Sequence, residues 1–152
     1  MNVGEVCTRK VVTVSMDDGV VRAAQLMRDH HVGDVVVVDE EQGRVRPVGM
    51  LTDRDIVVGA VAAAAGDLES MLVRELILGD LITIGEGEGL FEAAGVMREA
   101  GVRRLPVIDK EGALVGVIAM DDLLEILADE LSQMVQLMRG QRRHEADHWS
   151  AS

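Results

Sequence analysis

Aromatic side chains are almost absent from this sequence of 152 residues, which has one Phe, one Trp and no Tyr. A hydrophobic core must therefore be built from aliphatic side chains and methionine. The scarcity of aromatic rings argues against single-stranded nucleic-acid binding, which stacks bases on such rings. The net charge of −12 argues against duplex DNA as a partner, because DNA binding needs a basic surface that displaces counterions.

Cysteine and long apolar runs are also scarce. The single cysteine, Cys7, leaves no partner for an intramolecular disulfide or a CxxC zinc site, and this favours a reducing compartment. The longest uncharged apolar stretch, residues 56–65, is too short to span a bilayer. The N-terminal residues lack the apolar core of a signal peptide. We therefore expect a cytoplasmic protein with no membrane partner.

The chain contains an internal repeat. Hydrophobic residues make up 48% of it and charged residues 28%, which suits one ordinary domain or two very small ones. Residues 11–14 (VVTV) align with residues 81–84 (LITI), an offset of 70. After a short difference in length the offset becomes 67, which carries Asp55 onto Asp122. Two repeats are too few for a solenoid, so the pattern predicts a pseudo-twofold pair.

Each repeat has the predicted element order β-α-β-β-α. A short apolar run leads into a segment with helical spacing of apolar residues, and two strands and a second helix follow. Residues 35–38 and 105–108 are continuous apolar runs, which is typical of strands buried on two faces. Pro106 cannot donate to a neighbouring strand, so we expect it at an edge or at the first residue of its strand. The predicted strands are 11–14, 35–38, 48–51, 81–84, 105–108 and 114–118.

This element order, the strands VVVVD and LPVID, and the segments TDRDI and AMDDL together resemble the CBS domain, named after cystathionine β-synthase. The family's fingerprint is Gly, two apolar residues, Thr or Ser, two further residues, and Asp. Residues 49–55 (GMLTDRD) match it, and residues 116–122 (GVIAMDD) match it with Ala119 in place of the hydroxyl residue. The resemblance covers about residues 1–130.

The resemblance implies an α/β (α+β) fold in which two pseudo-twofold-related repeats pack through their sheets, an arrangement called a Bateman module. We place the first repeat at residues 1–66, the second at 67–130, and a C-terminal helix extension with a polar tail at 131–152. Modules of this family commonly form flat discs of two copies, so a homodimer is predicted.

The resemblance further implies that an adenosine-containing ligand such as AMP, ADP or ATP binds between the repeats. In such a site a carboxylate at a helix start accepts the ribose hydroxyls, apolar strands enclose the adenine, and arginines hold the phosphates. One site would comprise Asp122, Val117, Ala119, Arg103 and Arg104, with Cys7, Val12, Val32 and Gly33 from the first repeat. The other would comprise Asp55, Met50 and Thr52, with Ile77, Ile82, Val102 and Arg103 from the second.

Each candidate site has one defect. The Asp122 site lacks a hydroxyl, because Ala119 stands where the first repeat has Thr52. At the Asp55 site the counterpart of Arg104 is Asp34, which would repel phosphate. Losing a charged hydrogen bond costs about 1.5–3 kcal/mol, against about 0.5–1.5 kcal/mol for a neutral one. We therefore favour the Asp122 site for a nucleotide and the Asp55 site for a less charged adenosyl ligand.

Structural interpretations of the same residues stay open. Thr52 and Asp55 also read as a capping box at a helix start, and Arg103 and Arg104 also read as solvated charges. The glycine-rich segment 85–89 is interpreted as a turn, because its spacing is not that of a phosphate loop. We find no catalytic constellation, so we predict no enzyme, no catalytic cofactor and no metal site.

Apolar residues with helical spacing continue beyond Asp122 as far as Met138, which predicts a helix longer than one repeat needs. This helix either packs on its own module or contacts a second copy or another protein. The polar tail with His144, His148 and Trp149 is expected to be frayed. We expect no attached catalytic or transport domain, and hence expect the module to regulate a separate protein. The alternatives are an interaction module with empty clefts, or a binder of S-adenosylmethionine or NAD.

Overall fold

Two three-stranded sheets form the centre of the molecule. The computed structural model describes residues 1–63 and 66–150. In each sheet the first pair of strands is parallel and the second antiparallel. The predicted order of strands in each repeat is confirmed. The first sheet contains β1 (Thr13–Ser15), β2 (Asp34–Glu41) and β3 (Arg44–Thr52), and the second contains β4 (Ile84–Gly85), β5 (Arg104–Ile108) and β6 (Leu114–Ala119), in these orders.

Helices connect and flank the sheets. They are α1 (Val3–Val6), α2 (Val20–His30), α3 (Asp53–Asp55), α4 (Leu90–Ala100) and α5 (Met120–Ser150), with a π-helix (Ile56–Val61) after α3 and two 3-10 turns (Leu68–Ser70 and Val73–Leu76) between the repeats. The apolar residues at helical spacing face the cores, as Ala23 and Met27 do on α2 and Ala93 and Met97 do on α4. None of the helices in the described ranges is long and apolar enough to cross a membrane.

Strands β2 and β3 are longer than the apolar runs that predicted them. They are joined by Gln42 and Gly43, whose φ angles of 54° and 75° are both positive. Two such residues make a tight turn that matches the twist of the flanking strands, so pairing continues up to the turn. The polar residues near the turn thus belong to the ladder, although hydrophobicity alone did not place them there.

Pro106 lies inside β5, the central strand of the second sheet, and not at an edge or a first position as expected. Its counterpart in the first repeat is Val36, whose N–H donates to the carbonyl oxygen of Val12 at 3.0 Å. Proline has no such donor. The parallel pairing in the second sheet accordingly starts only at Ile84, beyond the proline, and β4 is two residues long.

The two hydrophobic cores do not divide at residue 66, the boundary taken from the repeat. Val3 and Val6 near the N-terminus pack in the core of the second repeat, with Ile84. Val73 and Leu76, which precede the second repeat, pack in the core of the first. Each repeat therefore completes the other's core with the segment before its own first strand.

Helix α5 continues through the tail that was expected to be frayed and ends at Ser150. Leu123 is its only buried residue within the described range, and every residue from 128 to 150 is exposed. The predicted long helix is therefore present, but residues 1–63 and 66–127 do not bury its second half.

Candidate functional site

A cleft of about 100 Å³ lies between the repeats around Asp122. We call it the Asp122 cleft. Strand β6 and the first turn of α5 supply one wall, and residues before β1 and around the start of β2 supply the other. Its lining residues are Thr8, Lys10, Val11, Val12, Val32, Asp34, Val36, Arg104, Val117, Ala119 and Asp122.

A second cleft of about 250 Å³ surrounds Asp55, and we call it the Asp55 cleft. It is the pseudo-twofold counterpart of the first, with β3 on one side and the segment before β4 on the other. Its lining residues are Gly49, Met50, Asp55, Leu76, Ile77, Leu78, Gly79, Asp80, Leu81, Ile82, Val102 and Arg104.

The difference in size follows from one backbone bridge. Thr8 exchanges two hydrogen bonds with Val117 on β6, each 2.9 Å long, and so draws the N-terminal segment over the Asp122 cleft. Its counterpart Leu78 makes no such bridge to any described residue and is 89% exposed. The segment from Leu78 onwards therefore stands away from β3 and leaves the Asp55 cleft wider.

The carboxylates of Asp55 and Asp122 differ in their hydrogen bonds. Asp55 accepts a hydrogen bond from the N–H of Thr52 at 2.9 Å, and the Thr52 hydroxyl accepts one from the N–H of Asp55 at 3.1 Å. This is the capping box that the sequence allowed. Asp122 occupies the same place in α5, but Ala119 offers no side-chain cap. Within the described residues the Asp122 carboxylate has no hydrogen bond or ion pair, so it is available to a ligand.

Asp34 and Arg104, which occupy equivalent positions in the two repeats, form an ion pair with each other. The Nε atom of Arg104 lies 2.9 Å from Oδ2 of Asp34, whose side chain is only 16% exposed. Burial raises the pKa of Asp34, the Arg104 guanidinium lowers it and the Asp53 carboxylate raises it, so that the pKa is raised on balance. Asp34 lies on the wall of the Asp122 cleft and not of the Asp55 cleft, which corrects the expectation that it would repel phosphate beside Asp55.

Arg104 lines both clefts, whereas Arg103, predicted for both, lines neither. The Arg103 side chain points outward, is 81% exposed, and meets Asp121 at 3.4 Å. Alternation along an extended segment explains the difference, since neighbouring side chains point to opposite faces. Of the two arginines, only the second is therefore placed to meet a ligand.

Three other predicted residues lie outside the clefts. Cys7 packs beside Gly116 in the second core, and burial raises the pKa of its thiol. Gly33 lies against the Asp53 carboxylate at the start of α3. Thr52 is turned into its capping role. The remaining residues named from the sequence line the clefts, and their role in binding stays a prediction: Val12, Val32, Arg104, Val117, Ala119 and Asp122 in one, and Met50, Asp55, Ile77, Ile82 and Val102 in the other.

Two polar residues of the Asp122 cleft were missed. Lys10 adds a cation to the lining, and Thr8 adds a hydroxyl. The signal available was their closeness in sequence to Val12, which was itself predicted for this site. The equivalent residue to Lys10 in the other cleft is Asp80, so the two clefts differ in charge.

The CBS domain family model matches residues 3–60 and 73–129. This chain belongs to the CBS domain family. Two β-α-β-β-α copies and the clefts between them are thus explained by a CBS pair, and the resemblance drawn from the fingerprint residues is confirmed.

Similar proteins include other small CBS proteins. The chain is 37% identical to the CBS domain-containing protein YhcV of Bacillus subtilis, over 80% of this chain and 82% of that one. It is 35% identical to an uncharacterized protein of Methanopyrus kandleri, of whose length it spans 62%. An inosine-5'-monophosphate dehydrogenase of Aquifex aeolicus is 32% identical over 75% of this chain, but the match is 22% of that enzyme.

Solved structures share the fold. A putative signal-transduction protein with CBS domains from Burkholderia ambifaria superimposes with a TM-score of 0.72 at 26% identity, covering 84% of this chain and 93% of that one. The cytosolic domain of the Mg²⁺ channel MgtE, in complex with ATP, gives 0.68 at 26% identity, covering 82% and 48%. Hypoxic Response Protein I, with two coordinated zinc ions, gives 0.70 at 30% identity, covering 82% and 98%. In residues 1–63 and 66–150 of this chain, no three His, Cys, Asp or Glu side chains converge as metal ligands.

Proposed function

We propose that this CBS pair is a regulatory module that binds an adenosine nucleotide of the AMP, ADP or ATP class in the Asp122 cleft. The observation that carries the proposal is the unpartnered carboxylate of Asp122 at the start of α5. A carboxylate in this position accepts hydrogen bonds from both ribose hydroxyls. The structure of the MgtE cytosolic domain with ATP supports the choice of ligand class.

The walls of the cleft suit the rest of the ligand. Val12, Val32 and Val117 offer an apolar surface to the adenine. Lys10 and Arg104 are the cations within the cleft, and they take the phosphates in place of the Arg103–Arg104 pair predicted from the sequence. The Thr8 hydroxyl is the neutral donor that Ala119 does not supply.

Binding in the Asp122 cleft requires Arg104 to change partners. In the present structure its guanidinium holds Asp34, and the cleft is small. A phosphate that takes Arg104 from Asp34 both widens the cleft and breaks a link between the two repeats. The ligand thereby favours one packing of the repeats over another, which is how it would signal to a partner protein.

The proposal is tested by titrating the full chain with AMP, ADP and ATP while its thermal unfolding and heat of binding are followed. Ligand at 100 times its Kd would stabilise the fold by about 2.7 kcal/mol. Asp122→Ala should weaken binding roughly 10- to 100-fold, since charged hydrogen bonds contribute about 1.5–3 kcal/mol.

Asp121→Ala is the matched control, because it removes a carboxylate from the same helix turn but outside both clefts. The Asp121→Ala chain should bind the nucleotide with the same affinity as the parent. Equal weakening by both substitutions, or no response of the parent to any of the three nucleotides, would refute the proposal and favour an interaction module with empty clefts.

The Asp55 cleft favours a second ligand, S-adenosylmethionine, because its charges are two carboxylates, Asp55 and Asp80, against one arginine. A ligand with a sulfonium and an ammonium group matches such a cleft better than one with phosphates. Asp80→Asn should weaken S-adenosylmethionine binding and leave AMP binding unchanged. Calorimetric titrations of both ligands check this, and an Asp80→Asn variant that loses neither ligand would contradict it. NAD, the other alternative adenosyl ligand, serves as a third titrant.

The proposal assigns no catalytic activity and no catalytic cofactor to the chain. The dehydrogenase relative fits this assignment, because the match covers under a quarter of that enzyme. The target protein and the cytoplasmic location stay predictions.

A further inference from the structure

No described residue buries the second half of α5. The helix has 31 residues, roughly 46 Å of length at the usual rise. From residue 128 onwards every residue is exposed. The family match ends at residue 129, so this segment lies beyond the region that the family model covers. Helices gain most of their stability in proteins from packing an apolar face, and the described part of the chain leaves the apolar face of this one exposed.

Apolar residues follow a heptad spacing along this segment. Leu124, Leu127, Leu131, Met134 and Met138 are separated alternately by three and four residues. This is the a/d pattern of helices that pair side by side. Leu131 and Met134 are each 63% exposed and Met138 is 55% exposed. We call these five residues the α5 seam.

Charge is divided along the same helix. Residues 121–130 contain five acids and no base, and residues 139–143 contain three arginines and no acid. A second copy of α5 laid parallel would set acids beside acids and arginines beside arginines. Laid antiparallel with Leu131 against Met134, it sets residues 121–130 beside residues 135–144. Opposite charges then face each other on both sides of the seam.

We propose that α5 pairs antiparallel with α5 of a second copy of this chain through the α5 seam. The homodimer implied by the family resemblance leaves open which surfaces meet, and this pairing is independent of the ligand proposal. Leu127 packs against Met138 of the partner helix, and Leu131 packs against Met134. Each of these contacts occurs twice because the pair is symmetric.

The first test is the mass of the full chain without ligand, measured by light scattering after gel filtration and by analytical ultracentrifugation. The parent should have twice the chain mass of 16.4 kDa. The double variant Leu131→Glu, Met134→Glu should be monomeric. Gln133→Glu, Gln136→Glu adds the same charge on the opposite face and should remain dimeric.

Outcomes other than these overturn the pairing. A monomeric parent shows that no second copy covers the helix. A monomer that binds anionic lipid vesicles through this helix overturns the pairing in the same way. A seam variant that stays dimeric places the contact elsewhere. Circular dichroism controls for folding. Both substituted residues are exposed, so the variant should keep the secondary structure of the parent and a cooperative unfolding transition, at a lower temperature because the partner helix no longer stabilises it.

The second test determines direction by disulfide trapping in a Cys7→Ser background. Disulfides form only when the two Cα atoms come within about 7 Å. Chains carrying Met138→Cys alone should not cross-link, because antiparallel pairing separates the two copies of this residue by 11 residues of helix, roughly 16 Å. A mixture of Leu127→Cys chains and Met138→Cys chains should cross-link. Efficient cross-linking of Met138→Cys alone would mean parallel pairing and overturn the proposal.

Discussion

Arg104 and Asp34 meet across the pseudo-twofold axis of the CBS pair, with 2.9 Å between Nε and Oδ2. They are equivalent residues of the two repeats, so the same position carries a negative charge in the first repeat and a positive charge in the second. The same arginine lines both clefts. Under the proposed function, Arg104 therefore connects the packing of the repeats to ligand binding in either cleft.

Removal of the arginine should destabilise the fold more than removal of the acid. Arg104→Met keeps an apolar stem but leaves the mostly buried Asp34 carboxylate unpaired, at a cost of about 1–3 kcal/mol in the free energy of unfolding. In an Asp34→Asn background the same substitution should cost less. Urea unfolding of the four chains gives the coupling, and equal costs in both backgrounds would show that the pair contributes nothing.

Stability should depend on pH through Asp34. Its pKa is raised in the folded chain above the ordinary value of 3.8, chiefly by burial. The folded state therefore holds this proton more tightly than the unfolded state, and the group's contribution to stability declines as pH rises through the folded pKa. Asp34→Asn removes this decline. The stability of the variant minus that of the parent, measured in urea, should increase as pH rises from about 3.8. A difference that stays constant or falls contradicts the raised pKa.

Asp34→Asn should also tighten nucleotide binding in the Asp122 cleft. The amide has no negative charge to compete with phosphate for Arg104, and the gain is about 1 kcal/mol or roughly fivefold in Kd. Adenosine is the control ligand, since it has no phosphate and should bind both chains equally. Calorimetric titrations with AMP and adenosine distinguish the two effects. An equal change for both ligands would mean that Asp34 acts on cleft shape and not on phosphate.

The close approach of the N-terminal segment to β6 makes Gly116 sensitive to any side chain. A Cβ atom at this position would lie 2.6 Å from the carbonyl oxygen of Thr8 and 2.8 Å from Cys7 Sγ. Because backbone cannot yield easily, Gly116→Ala should destabilise by about 1–3 kcal/mol. Gly49→Ala is the matched comparison, since its Cβ would meet only the Ile77 side chain at 2.9 Å. Thermal unfolding should show the larger loss for Gly116→Ala, and the reverse order would contradict the bridge.

Much of the fold could be predicted from the sequence because burial imposes the same apolar pattern on both copies. The strands around Val37 and Val107, and the acids Asp55 and Asp122 that follow β3 and β6, were placed by that pattern and by the fingerprint. The predicted position of Pro106 was wrong, because the apolar pattern does not show which neighbouring strand accepts a hydrogen bond from a given backbone N–H. The length of β4 followed from that missing donor.

The sequence by itself determined the duplication, the family, and the two acids, Asp55 and Asp122, that follow β3 and β6, because these depend on local patterns. Only the tertiary structure decided that Arg104 holds Asp34, that Lys10 enters the Asp122 cleft, and that Thr52 is occupied by its own helix. Alignment of repeats states which residues are equivalent, not how far apart they lie. Contacts across a pseudo-twofold axis depend on how the two sheets pack, and no periodic pattern in the sequence predicts this packing.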